Sequence, residues 1–146
     1  MIAPSGQPDT QDSAAAAVLF SEFGHALDTK DWQAYAALYG PDGSLALPGG
    51  SPVPQSRLEA ICEAVLGRFQ ETHHMITNVL STRQGAENHV TANLRAAHFY
   101  PDDSHEPWVV YGRYTATTYL RGKSLVFKDV ELEILWQTGD QPPAPR

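Results

Sequence analysis

The hydrophobic period of the chain changes near Thr72, and this change constrains the fold more than any other feature. Before it, apolar residues recur every three or four positions, which predicts helices over 11–27, over 30–39 and from Ser56 onward. After it, apolar and polar residues alternate, which predicts long strands over 73–83, 89–100, 108–120 and 125–137. Three helices followed by four consecutive strands indicate an α+β fold, with the helices on one face of a curved, mostly antiparallel sheet.

Shorter signals fill the region between the second and third helices. Residues 44–47 are expected to form a brief strand, and the Gly- and Pro-rich stretch 48–55 to form an irregular loop. Ser56 and Glu59 have the spacing of a capping box, in which each side chain bonds the other's free backbone N–H at the start of the third helix.

Length and charge limit what the protein is and what it binds. A chain of 146 residues fits one domain, which we place at residues 11–138 between disordered tails at 1–10 and 139–146. The net charge of −7, without a cluster of Lys and Arg, argues against binding to nucleic acid. No apolar run approaches the length of a membrane span, and no basic start of a secretory signal is present, so we expect a cytoplasmic protein that does not contact membranes.

His98 is the most informative single residue. It continues the alternating apolar positions of its strand, so its side chain should point into the interior, either as a core histidine or as an acid/base group. His73 and His74 are adjacent on a strand and must face opposite sides, and alternation alone does not decide which of them faces inward.

Other candidate groups have a structural and a functional interpretation each. Asp28 ends the first helix, where it could cap the second helix or orient an imidazole. Trp32, Tyr35 and Tyr39 share one side of the second helix, as core residues or as the lining of a pocket. The lone cysteine, Cys62, lies in an apolar helical pattern typical of a buried thiol. Because no motif for a metal or a cofactor occurs, we predict neither.

Three stretches carry a family resemblance: LDTKDW at 27–32, THHMITN at 72–78 and AAHFY at 96–100. Together they resemble the NTF2-like superfamily, and within it the SnoaL-like and scytalone-dehydratase-like enzymes. The resemblance implies a cone-shaped fold over roughly residues 12–138 and a catalytic group of Asp28, His74 and His98. Leu27 departs from the pattern, since the dehydratase has a tyrosine there.

The resemblance also implies an activity. It is that of a cofactor-independent acid/base enzyme that cyclises, dehydrates or isomerises a small polyketide-like or other secondary metabolite. A non-catalytic ligand-binding or dimerisation module and an epoxide-opening hydrolase are the alternatives. Tyr39 and Asn78 are candidates to hold a substrate oxygen, with Tyr35 and Trp32 as further substrate contacts.

The outer face of the sheet predicts self-association. Trp108, Val109, Tyr111 and Tyr119 cannot all face inward, so part of this apolar surface should be covered by another copy of the chain. We therefore expect a homodimer or homotrimer.

Overall fold

The computed structural model describes residues 6–143, and it confirms the α+β fold with three helices on a curved sheet. The outermost parts of the two predicted tails, residues 1–5 and 144–146, lie outside the described range. The helices are α1 (Thr10–Asp28), α2 (Trp32–Ala36) and α3 (Leu58–Leu66). The strands are β1 (Tyr39–Ala46), β2 (Val53–Pro54), β3 (Glu71–Gln84), β4 (Glu87–Phe99), β5 (Trp108–Arg121) and β6 (Ser124–Thr138).

One six-stranded sheet, in the order β2-β1-β6-β5-β4-β3, forms the wall of the cone. All neighbouring strands are antiparallel except β1 and β6, which are parallel. The long helix α1 crosses the concave side, where its buried Phe20 and Phe23 pack on Tyr114 and Phe127 of the sheet. The core is therefore rich in edge-to-face aromatic contacts, which stabilise it beyond simple burial.

The second helix is shorter than predicted, and the strand after it is longer. Lys30 has a left-handed backbone with φ of 56°, and Asp31 then caps α2 by accepting a hydrogen bond from the Ala34 N–H at 3.0 Å. Tyr39 already belongs to β1, where it pairs with Phe127 of β6. The GPDG sequence at 40–43 is an irregularity inside this strand and not its boundary.

The predicted capping box at the third helix is wrong. A 3-10 turn over Gln55–Arg57 precedes α3, and Arg57 at the N-cap position makes no side-chain capping bond. The loop 48–55 also contains the two-residue strand β2, which pairs with β1. The tight turn supplies an entry to the helix that does not need the serine.

The long strands contain three bulges, one between β3 and β4 and two between β5 and β6, and bulges change which side chains face the interior. The register of β3 against β4 shifts between Thr77 and Leu80, where Asn78 adopts φ of 57°. A second shift, between Tyr111 and Gly112 of β5, turns Trp136 of β6 to the outer face, although alternation groups it with the inward residues. A bulge inserts one extra residue and so reverses every later position.

Candidate active site

The end of α1 brings a carboxylate against the start of β3. Asp28 Oδ1 accepts a hydrogen bond from His74 Nδ1 at 2.7 Å and one from the Thr72 hydroxyl at 3.0 Å. The backbone N–H of His74 also donates to both carboxylate oxygens, at 3.1 and 3.0 Å. Because a carboxylate only accepts, these contacts place the His74 ring proton on Nδ1.

These donors set the charge of Asp28. Burial by itself would raise the pKa of this carboxyl, but the hydrogen bonds from His74 and Thr72 outweigh burial and lower the pKa below its usual value. Asp28 is consequently anionic at neutral pH. Its side chain keeps 23% of its surface exposed, so the hydrogen-bonded Asp28–His74 pair lies at the edge of the interior.

His98 lies deeper, on the concave face of β4, with 4% of its surface exposed. Its Nδ1 lies 2.9 Å from the carbonyl oxygen of Trp108 and must donate to it, since a carbonyl only accepts. The imidazole stacks on the Trp108 ring at 4.4 Å and contacts the Phe69 ring at 5.0 Å. Burial lowers the pKa of His98 to about 4, so the ring is neutral over most of the accessible pH range.

The two imidazoles face each other edge to face, with their centroids 5.9 Å apart. Each uses Nδ1–H to bond an acceptor, and each therefore carries a lone pair on Nε2. Neither Nε2 bonds to a residue in the range 6–143. Within that range the completely buried polar side-chain atoms without a partner are His89 Nδ1 and Thr118 Oγ1, so both Nε2 atoms retain some access. The adjacent His73 is exposed on the outer face.

The four predicted substrate contacts lie in three different places. The Tyr35 and Tyr39 hydroxyls are 2.7 Å apart in the aromatic core, where burial raises the pKa of both. Trp32 is half-buried and donates its indole N–H to Glu63 of α3. Asn78 is exposed at its bulge, about 13 Å along β3 from His74.

Sequence reasoning missed three residues of the site: Thr72, Phe69 and Trp108. In the sheet register Thr72 pairs with His98, and His98 pairs with Trp108. Thr72, His98 and Trp108 therefore form one row across β3, β4 and β5. Only the register reveals this row. The sequence contains one indication of Thr72: it lies two positions before His74 on the same strand, so the two side chains face the same side of the sheet.

The C-terminal segment, residues 139–143, folds back over the aromatic side of the site. Tyr100 packs edge-to-face on Phe69 at 5.1 Å and donates its hydroxyl to the Asp140 carbonyl. The Asp140 carboxylate accepts the Glu106 N–H at 2.7 Å. Gly139, with φ of 84°, touches Pro107 so closely that a Cβ would lie 1.8 Å from the proline carbonyl oxygen.

In the described part of the chain, pockets of about 240 and 380 Å³ open on the surface, and neither of these is lined by Asp28, His74 or His98. The smaller lies between α1 and α2, and the larger on the outer face of the sheet. On the concave side, the aromatic rings of Phe69, Trp108 and Tyr100 lie next to His98. Among the described residues no group of three or more His, Cys, Asp or Glu is arranged to hold a metal ion, and none of their helices is long and apolar enough to cross a membrane.

Several solved structures share the fold at low sequence identity. A candidate scytalone dehydratase from Novosphingobium aromaticivorans is 20% identical, with a TM-score of 0.83 over 92% of this chain and 91% of that one. The Kfla4162 protein from Kribbella flavida is 23% identical, with a TM-score of 0.80 over 89% of this chain and 95% of that one. A hexachlorocyclohexane dehydrochlorinase, LinA type 2, is 16% identical, with a TM-score of 0.78 over 92% and 94%.

Among proteins of curated function, none matches the chain significantly. The sequence profile of the SnoaL-like domain matches residues 8–128, a range that contains α1, α2, α3 and all three of Asp28, His74 and His98. The chain therefore belongs to the SnoaL-like domain family.

Proposed function

We propose that the protein is a cofactor-independent acid/base enzyme that acts on a small, neutral, oxygenated molecule, such as a polyketide-like or other secondary metabolite. One observation carries the proposal: the Asp28–His74 hydrogen bond lies beside a neutral His98, and both imidazoles keep an unengaged Nε2 lone pair. Elimination of water is the reaction we favour, with cyclisation and isomerisation as other outcomes of the same proton transfer.

His74 is the group we assign to proton transfer. Its Nε2 takes a proton from an acidic carbon of the substrate, and Asp28 stabilises the imidazolium that forms. His98 has a different part, because a pKa of about 4 keeps it neutral when His74 is active. Its Nε2 accepts a hydrogen bond from a substrate hydroxyl and so orients the molecule.

The elimination balances without any further reagent. His74 removes the proton, the electrons of the C–H bond form a C=C bond, and the neighbouring C–O bond breaks. The proton on His74 Nε2 then passes to the departing oxygen, which leaves as water, and His74 returns to its neutral state. Two structural neighbours are named for the loss of water and of hydrogen chloride, and these names support elimination for this chain.

The surroundings of the site favour an uncharged substrate. Phe69 and Trp108 supply apolar, planar walls around His98. The Lys30 ammonium is bonded to the carbonyl oxygens of Gly67 and Phe69, at 3.5 and 2.5 Å, and so is already engaged. A carboxylate or phosphate on the substrate would meet the negative charge of Asp28.

Hydrogen–deuterium exchange tests the proposal without knowledge of the natural substrate. Scytalone, hexachlorocyclohexane and a panel of cyclic β-hydroxyketones would be incubated with the protein in D2O, and NMR would follow exchange and elimination. We expect catalysed exchange at an acidic carbon of at least one probe. His74→Asn should reduce its rate by about 10²–10⁴, whereas the exposed neighbour variant His73→Asn should leave it unchanged.

Equal rates for His74→Asn and the unaltered protein would contradict the assignment. Probes that bind without exchange would favour the ligand-binding module. Diol formation from an added epoxide probe would instead indicate the hydrolase.

A further inference from the structure

Thr72 occupies the point where the three groups of the site meet. It faces the concave side at the start of β3, two residues before His74, and it is paired across the strands with His98. Its side chain is buried, and its hydroxyl donates to Asp28 Oδ1 at 3.0 Å. The Thr72 hydroxyl thus lies next to the imidazoles of His74 and His98, and it bonds the Asp28 carboxylate that accepts the ring N–H of His74.

The bond from Thr72 falls on the carboxylate oxygen that also binds the imidazole. Oδ1 accepts from Thr72 Oγ1, from His74 Nδ1 and from the His74 backbone N–H, while Oδ2 accepts from that backbone N–H alone. The bond from Thr72 thus holds in place the oxygen that accepts the ring proton of His74. The hydroxyl also opposes rotation of the carboxylate about its Cβ–Cγ bond, which would carry Oδ1 away from the imidazole.

We propose that Thr72 is a positioning residue: by holding Asp28 Oδ1, it keeps His74 in the tautomer that leaves the Nε2 lone pair free. The importance of this tautomer for catalysis rests on the proposed function, but its existence does not. Without the hydroxyl, the Asp28 carboxylate is freer to rotate Oδ1 away from His74 Nδ1, and the Nε2–H tautomer of His74 becomes accessible.

Imidazole nitrogen NMR tests the assignment directly. In 15N-labelled protein at alkaline pH, we expect the shifts of a single Nδ1–H tautomer. Thr72→Val keeps the β-branched shape and removes the hydroxyl, and it should raise the ratio of Nε2–H to Nδ1–H at His74 by about fivefold, the effect of losing a hydrogen bond. Thr72→Ser retains the hydroxyl and should give the spectrum of the unaltered protein.

A second measurement follows the titration of Asp28, the residue that Thr72 bonds. The carboxyl carbon of Asp28 should titrate at a higher pH in Thr72→Val, because Thr72 is one of the donors that lower its pKa. Thr77→Val serves as the control, since Thr77 lies on the same strand but is exposed on the outer face. Thr72→Ala provides the same readouts should the valine variant not fold.

Unchanged His74 nitrogen shifts and an unchanged Asp28 titration in folded Thr72→Val would overturn the inference. Neither measurement uses a substrate. A failure here is therefore distinguishable from a failure of the exchange experiment, and Thr72 can hold Asp28 even in a protein that catalyses nothing.

Discussion

Thr118 is a buried hydroxyl with no function in the proposed site. It is 0% exposed, and its Oγ1 has no hydrogen-bond partner among residues 6–143. Thr118→Val should therefore raise the free energy of unfolding by about 1 kcal/mol, because it removes the desolvation cost of an unpaired polar group. Urea denaturation measures the change, and the half-buried Thr115→Val on the same strand, its control, should alter stability by less than about 0.5 kcal/mol. Destabilisation by Thr118→Val would count against this interpretation.

His98 should make stability depend on pH in a defined window. Its pKa falls from 6.5 to about 4 on burial, so the unfolded chain takes up the proton first as the pH decreases. The free energy of unfolding should thus drop between pH 6.5 and pH 4, by on the order of 3 kcal/mol. His98→Asn should flatten this part of the stability profile, while the exposed His73→Asn should keep it. A profile that stays steep in His98→Asn would contradict the burial of a neutral imidazole.

The site residues differ in how far the sequence could predict them. The alternation in β4 was enough to turn His98 inward, because no bulge lies between Val90 and His98. His73 and His74 could be separated only by the family resemblance, since alternation permits either. Trp108 acts on His98 through its backbone carbonyl, which no side-chain pattern can report.

The strands also differ in how far the sequence could predict them. The four long strands extend within two residues of their predicted limits, because alternating stretches bounded by turn residues mark them clearly. Strand β1 was largely missed, since Gly40, Pro41 and Gly43 are typical of turns. In the structure Gly43 is packed so tightly against β6 that a Cβ would lie 3.0 Å from the Lys128 carbonyl oxygen. Here glycine marks close approach of backbones and not a turn.

The C-terminal segment should depend on the glycine that begins it. Gly139→Ala would place a methyl group on the Pro107 carbonyl and should detach residues 139–143 from the loop at 101–107. We expect faster amide exchange at Asp140 and stronger acrylamide quenching of Trp108 fluorescence. Gly122→Ala is a matched control, because its φ of 65° carries the same backbone cost while nothing lies within 4 Å of the new Cβ. Equal effects from the two variants would show that backbone strain, not the contact, is responsible.

The whole molecule exposes an apolar area on the outer face of the sheet. Trp136 is 59% exposed and packs on Tyr111 at 4.8 Å, while Arg95 lies over the Tyr111 ring at 5.6 Å. Met75 and Leu135 extend the area beside a pocket of about 380 Å³. Arg113 and Glu133, 4.0 Å apart, provide charges of both signs next to it. A second copy, related by a two-fold axis, could match such a surface with itself.

We therefore predict that the protein associates through this outer face. Light scattering at high micromolar concentration should give a mass of at least twice 16.0 kDa. Trp136→Asp should shift the distribution towards the monomer, because it places a charge in the apolar contact. Leu120→Asp is the control, since Leu120 is also exposed but lies at the end of β5. A monomeric unaltered protein would refute the prediction.

The parallel pairing of β1 with β6 also bears on how the chain acquires its structure during synthesis. Tyr39 of an early strand meets Phe127 of the last described strand, so the sheet cannot close until the chain has been made at least as far as Phe127. Bringing such distant residues together costs loop-closure entropy before any stabilising contact has formed, and this cost slows folding. Until β6 is made, one edge of β1 has no partner strand and the aromatic side chains of α1 lack their contacts with Phe127, so the nascent chain is open to aggregation.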